Sequence, residues 1–163
     1  MNHRMFRLLL NIYPPYWGTG IVVSKVAPDF TEIVVQMKKR FYNRNYVDTH
    51  FGGSLYSMVD PFYMLMLINI LGKDYVVWDK SAFIDFVKPG RGKVKAVFSI
   101  TQETIFDIVE KTADGEKYLP ELAVEIEDEA GETVARAVKT IYVRRRLDSK
   151  KPENEAIFPL RKT

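Results

Sequence analysis

The hydrophobic pattern changes period along the chain, and each change marks an element. Residues 54–71 are apolar on nearly every helical face, with Leu55, Met58, Val59, Phe62, Leu65 and Met66 at helical spacing and Gly72 as a C-terminal stop. A helix apolar all round is a buried helix. Two runs rich in Ile and Val, residues 18–27 and 31–39, flank the turn at Pro28 and Asp29 and predict a hairpin. Residues 76–87, residues 93–101 with Val94, Ala96, Phe98 and Ile100 on one face, a strand through Leu122, Val124 and Ile126, and residues 133–145 read as further strands. Residues 5–12 form a short helix ended by Pro14 and Pro15, which cannot donate interior helical hydrogen bonds. Residues 104–112 form another short helix, with Thr104 as its N-cap. Strands follow the buried helix without crossover helices, which opposes a parallel doubly wound sheet. The expectation is an α+β fold in which an antiparallel sheet is wrapped around one long central helix.

Composition bounds this picture. The 163 residues are 47% apolar and 28% charged, enough for one core and short for two. Residues 1–148 are expected to form a single domain and residues 149–163 a polar tail carrying Pro152 and Pro159. The chain has no cysteine, which removes thiol catalysis, thiolate metal sites and disulfides, and only His3 and His50 could offer imidazole to a metal. No metal and no separate cofactor are therefore expected. Residues 1–16 lack both a long apolar core and a cleavage site, so the expected location is cytoplasmic. A membrane span over residues 51–71 would bury Asp60, Pro61 and Asn69 in hydrocarbon, so no membrane partner is expected. The net charge of +3 gathers at Arg144, Arg145 and Arg146 with Lys150 and Lys151. That run has no aromatic platform beyond Tyr142, so no nucleic acid is expected; a solvated strand end or a phosphate-bearing ligand accounts for it equally well.

The stretch from Asn45 through His50, Phe51, Gly52 and Gly53 to Asp60 carries the candidate chemistry. Paired glycines at a helix start let backbone approach a ligand closely, and the free N–H groups of the first turn suit a carbonyl oxygen gaining charge. The same glycines also suit a plain tight turn. Asp60 is a carboxylate within an otherwise apolar helix and needs a reason to be there. Burial is expected there, and it would raise the pKa and make the group basic enough to take a proton from water, or it can attack a carbonyl itself; accepting backbone N–H groups is its structural alternative. Pro61 cannot donate to the carbonyl of Ser57, so a kink is expected beside the carboxylate. On one helix, Gly53 and Asp60 would stand about 10 Å apart, too far to serve one carbonyl. A second subunit would close the site, so a homodimer is expected.

With these residues in place the chain resembles the hotdog-fold acyl-CoA thioesterase superfamily, especially its phenylacetyl-CoA thioesterase-like branch. The resemblance spans roughly residues 6–145 and centres on an asparagine, a His-Gly-Gly-like turn and an acidic residue on the helix. It implies that Asp60 is the catalytic carboxylate, that Gly52 supplies the N–H polarising the thioester carbonyl, and that Asn45 helps to place water or substrate. It implies substrate contacts at Gly53, Phe51, His50 and Asp79, the last also readable as a plain strand-end aspartate, while the unbranched Met58 suits either core packing or a substrate pocket for a flexible apolar chain. Lys88, Arg91 and Arg144 to Arg146 are candidate phosphate ligands or solvated surface cations. Two features depart from the family pattern: Phe51 stands where better-characterised members carry histidine, with His50 displaced by one, and the helix at residues 104–112 replaces a tight connection.

The function implied is hydrolysis of an acyl-CoA thioester, with coenzyme A entering as part of the substrate and the protein acting as a homodimer or a dimer of dimers. The alternative is a non-catalytic module that binds acyl-CoA or a fatty-acyl ligand.

Overall fold

The computed structural model describes residues 2–147. The expected tail at residues 149–163 lies outside the described residues. Two short helices, α1 (His3–Asn11) and α2 (Pro14–Thr19), lead into the hairpin β1 (Ile21–Val26) and β2 (Glu32–Lys38). Helices α3 (Gly52–Ser57) and α4 (Phe62–Leu71) follow, then β3 (Tyr75–Phe86), β4 (Lys93–Ser99), α5 (Gln102–Lys111), β5 (Lys117–Tyr118), β6 (Glu121–Glu127) and β7 (Thr133–Arg145). All strand pairings are antiparallel, and the sheet runs β1-β2-β4-β6-β7-β3 with β5 added beside β7.

Period-two alternation turns one face of the sheet inward. Ile33, Val35 and Met37 of β2, Val94, Ala96 and Phe98 of β4, and Ala135, Ala137, Ile141 and Val143 of β7 are buried together with Leu55, Met58, Val59, Phe62, Met66 and Leu67 of the helical segment. Phe62 packs on Phe98 at 4.9 Å between ring centroids, and the Tyr63 hydroxyl donates to the Ala123 carbonyl at 2.6 Å, tying the helix to the sheet. The segment Gly52–Leu71 is long and apolar enough to cross a membrane, but its buried side chains are the core of this fold.

Three local differences from the sequence reading have physical causes. The proline kink is a full interruption, with residues 58–61 joining two helices, because Pro61 lacks an N–H and also disfavours helical geometry at Asp60. Gly18 and Thr19 belong to α2 rather than to the first strand, since Pro14 and Pro15 start a helix at positions where N–H groups are not needed. The α5 N-cap is Thr101, not Thr104: the Thr101 hydroxyl accepts from the Thr104 N–H at 3.1 Å.

Candidate functional site

The helix interruption brings Asp60 out of the core. Its side chain is 43% exposed, so the carboxylate expected to be buried is open to solvent. Two side chains from distant elements hold it in place. The Tyr16 hydroxyl, from α2, donates to the Asp60 carbonyl at 2.8 Å, and Lys139 Nζ, from β7, donates to Asp60 Oδ1 at 2.6 Å. Lys139 occupies the inward row of β7 between Ala137 and Ile141, and its side chain is 1% exposed.

Asp79 completes the cluster. It lies on β3 opposite Ile141, beside a bulge between Asp79 and Ser81, and its Oδ2 is 3.3 Å from Lys139 Nζ. Its Oδ1 is buried without a partner among the described residues. Burial pushes the Asp79 carboxyl up to about 6, with the Lys139 charge opposing and the Asp60 charge adding to the shift. Burial opposes the Lys139 charge, but the hydrogen bond to Asp60 and the Asp79 and Asp60 charges outweigh it and hold the ammonium above the ordinary lysine value. The Tyr56 ring of α3 lies 5.8 Å from Lys139 Nζ. Burial, then the charge of Asp60, pushes the Tyr16 phenol upward, so that phenol is a neutral donor at every physiological pH.

Gly52 and Gly53 open α3, capped by Phe51 without a side-chain hydrogen bond. Aromatic rings fill the space that side chains would need there. A Cβ on Gly52 would stand 3.2 Å from the Phe86 ring, and one on Gly53 would stand 2.4 Å from the ring of Phe51, itself 56% exposed. Gly52 and Asp60 flank opposite ends of α3, a helix about 9 Å long at 1.5 Å per residue.

Other expected site residues are committed to the loop. Asn45 Oδ1 accepts from the Val47 and Thr49 N–H groups at 3.1 and 3.0 Å, and its Nδ2 donates to Thr49 Oγ1 at 2.8 Å. His50 is buried, with Nε2 3.1 Å from the Gly92 carbonyl. A carbonyl only accepts, so Nε2 carries the proton and Nδ1 is left as a buried acceptor with no partner among the described residues. Burial lowers the His50 pKa. Met58 is fully buried in the core.

Of the candidate phosphate ligands, Lys88 pairs with Asp128 at 2.7 Å and with Glu132, whereas Arg91, Arg144, Arg145 and Arg146 are exposed. A surface cavity of about 450 Å³ lined by Glu103, Phe106, Asp107 and Tyr118 includes none of Asp60, Asp79 or Lys139. The described residues hold no group of three or more His, Cys, Asp or Glu placed for a metal.

Lys139 is the site residue that the sequence reading missed. The signal was present: Ala135, Ala137, Lys139, Ile141 and Val143 alternate inward along β7, so period two alone puts a lysine in the core.

The family described as a domain of unknown function (DUF4442) matches residues 2–143. No curated protein matches the chain. Among solved structures, a protein from Pseudomonas aeruginosa described as a probable thioesterase superimposes with a TM-score of 0.78 at 17% identity, covering 90% of this chain and 97% of its own. A thioesterase from Haemophilus influenzae gives 0.65 at 14% identity, covering 93% and 96%. A mutant form of the phenylacetic acid degradation protein PaaI from Thermus thermophilus gives 0.56 at 24% identity, covering 83% and 100%. At such identities the likeness shows the fold, and that fold is the hotdog arrangement of an antiparallel sheet around a central helical segment.

Proposed function

Taking as premise that the chain belongs to the DUF4442 family, we propose that it hydrolyses an acyl-CoA thioester, with Asp60 as the residue that activates water. The observation that carries this reading is a carboxylate exposed at a helix interruption, bonded by Lys139 and mounted on a peptide whose carbonyl accepts from Tyr16, in a fold shared with thioesterases.

In this mechanism the thioester carbonyl lies at the N-terminus of α3, where the Gly52 N–H accommodates the charge developing on its oxygen. Asp60 takes a proton from water as the new C–O bond forms. The tetrahedral intermediate collapses with cleavage of the C–S bond, and the proton passes to the departing thiolate, giving a carboxylic acid and free coenzyme A. Gly53 and Phe51 stand beside the carbonyl, and the exposed Arg144, Arg145 and Arg146 offer charge to coenzyme A phosphates. His50 and Asn45 shape the loop that presents Gly52, while Met58 backs the site from the core.

The protein acts as a homodimer, because Gly52 and Asp60 of one chain lie at opposite ends of α3. The β3 strand supports this: it is twelve residues long and, among the described residues, forms a sheet edge that pairs on one side only, with β7. Its setting is the cytoplasm, where a chain without cysteine has no need of oxidising conditions.

One observation favours the binding-module alternative: the sole histidine near the glycines has its Nε2 committed to the Gly92 carbonyl. Thiol release from short, medium, long and aromatic acyl-CoAs separates the two readings. Hydrolysis predicts turnover by the native chain that falls at least 100-fold in Asp60→Ala and Asp60→Asn. Turnover unaffected by both variants overturns the mechanism, and tight binding without release establishes the module.

A further inference from the structure

Lys139 takes no proton and touches no reacting atom in the proposed hydrolysis, yet it is the most demanding group in the core. At 1% exposure its ammonium is shut off from solvent and from any substrate. Its nearest charged neighbours are two carboxylates, Asp60 at 2.6 Å and Asp79 at 3.3 Å. The groups facing this cluster are Tyr16 from α2, which donates to the Asp60 carbonyl, and Tyr56 from α3, whose ring lies 5.8 Å from the ammonium. Neither tyrosine brings a compensating charge. The balance of the cluster is therefore set by one lysine and two aspartates.

Two carboxylates held this close without a cation share a proton, because both cannot ionise side by side in a partly desolvated site. A shared proton would occupy the oxygen that must receive one from water. A cation between them weakens that competition without abolishing it. We propose that Lys139 is a positioning residue that keeps Asp60 ionised and correctly turned while Asp79 stands beside it, so that Asp60 remains free to accept the proton of the attacking water. The two carboxylates have unequal parts. Asp60 has the shorter contact and the exposed side chain, whereas Asp79 Oδ1 is buried with no partner among the described residues, the place where a proton would be held. The elevated Asp79 pKa agrees with that division.

The catalytic consequence rests on the thioesterase reading; the charge arrangement does not. The test uses the full chain and four variants: Lys139→Met, Lys139→Arg, Asp79→Asn, and Lys139→Met combined with Asp79→Asn. Two readouts are taken, kcat/KM for an acyl-CoA against pH and ¹³C NMR titration of the aspartate carboxyls. Lys139→Met is expected to move the acid limb of the rate profile up by at least one pH unit, a tenfold or greater loss near pH 6 that recovers at higher pH. Lys139→Arg keeps most of the native profile. Adding Asp79→Asn to Lys139→Met returns the limb towards the native position, because the competing carboxylate is gone. A uniform loss at every pH that the second substitution does not relieve marks Lys139 as merely structural and overturns the proposal.

The titration decides the matter even for a chain that releases no thiol, which would sink the thioesterase reading alone. A carboxyl midpoint that rises in Lys139→Met and falls back in the double variant supports the proposal, and unchanged midpoints overturn it. Should Lys139→Met fail to fold, Asp79→Asn decides: removing one negative charge is expected to shift the remaining carboxyl, and the acid limb, to lower pH, and no shift in either overturns the proposal.

Discussion

The Tyr16 hydroxyl donates to the backbone carbonyl of Asp60 at 2.8 Å, so a residue from the N-terminal helices fixes the peptide on which the candidate base is mounted. The same ring stacks on Phe62 at 5.8 Å, immediately after the helix interruption. Tyr16→Phe keeps the ring and removes only the donor. We expect a stability loss of about 1 kcal/mol and a several-fold fall in kcat with KM little changed. Urea unfolding and steady-state kinetics check both; full activity in a destabilised variant would separate the contact from the chemistry.

Asp79 predicts a pH dependence of stability. Its folded pKa of about 6 lies above its ordinary value of 3.8, so between these limits the folded state binds more protons than the unfolded chain. Stability contributed by its protonated form is present below about pH 4 and is lost as pH rises through about 6. The two-unit gap corresponds to at most about 3 kcal/mol. Urea unfolding at pH 4.5 and pH 7 should show that the native chain loses more stability across this interval than Asp79→Asn does. Equal changes in the two chains would contradict the assignment.

Much of the fold is legible in the sequence because burial imposes a period. The inward rows of β2, β4 and β7 and the all-round apolar segment Gly52–Leu71 can be read from spacing alone, and they suffice to place an antiparallel sheet on a helix. The site is less legible. Asp60 is conspicuous as a charge in an apolar run, but its exposure depends on the backbone at residues 58–61, and its partner Lys139 lies 79 positions away. Short-range patterning carries no information about which inward lysine meets which inward aspartate. The bulge beside Asp79, which falls between two residues of β3, has no turn signal such as glycine to announce it. The two-residue strand β5 is too short to generate a period at all.

The proposed role of the Gly52 N–H can be isolated because proline is tolerated at the first position of a helix. Phe51 already has φ −64° and ψ 129°, an extended geometry that a following proline permits. Gly52→Pro therefore removes the N–H while preserving the helix start. Gly52→Ala is its control, since it keeps the N–H but places the same Cβ 3.2 Å from the Phe86 ring. We expect Gly52→Pro to lose about 100-fold or more in kcat and Gly52→Ala far less. Equal losses would assign the effect to the aromatic contact and remove the donor from the mechanism.

A site built from Gly52 of one chain and Asp60 of another makes a quantitative prediction for mixed subunits. Asp60→Ala and Gly52→Pro homodimers are each expected to be nearly inactive. After equimolar unfolding and refolding together, random pairing gives about half heterodimers, in each of which one site has both native residues and the other has neither. Such a mixture should regain about a quarter of the native rate, whereas a site within one chain would regain nothing. Light scattering on the same samples shows whether the chains pair. A monomer with full activity would place both groups at one chain's own site and discard the shared-site mechanism, and a dimer whose mixture stays inactive would discard it while keeping the interface.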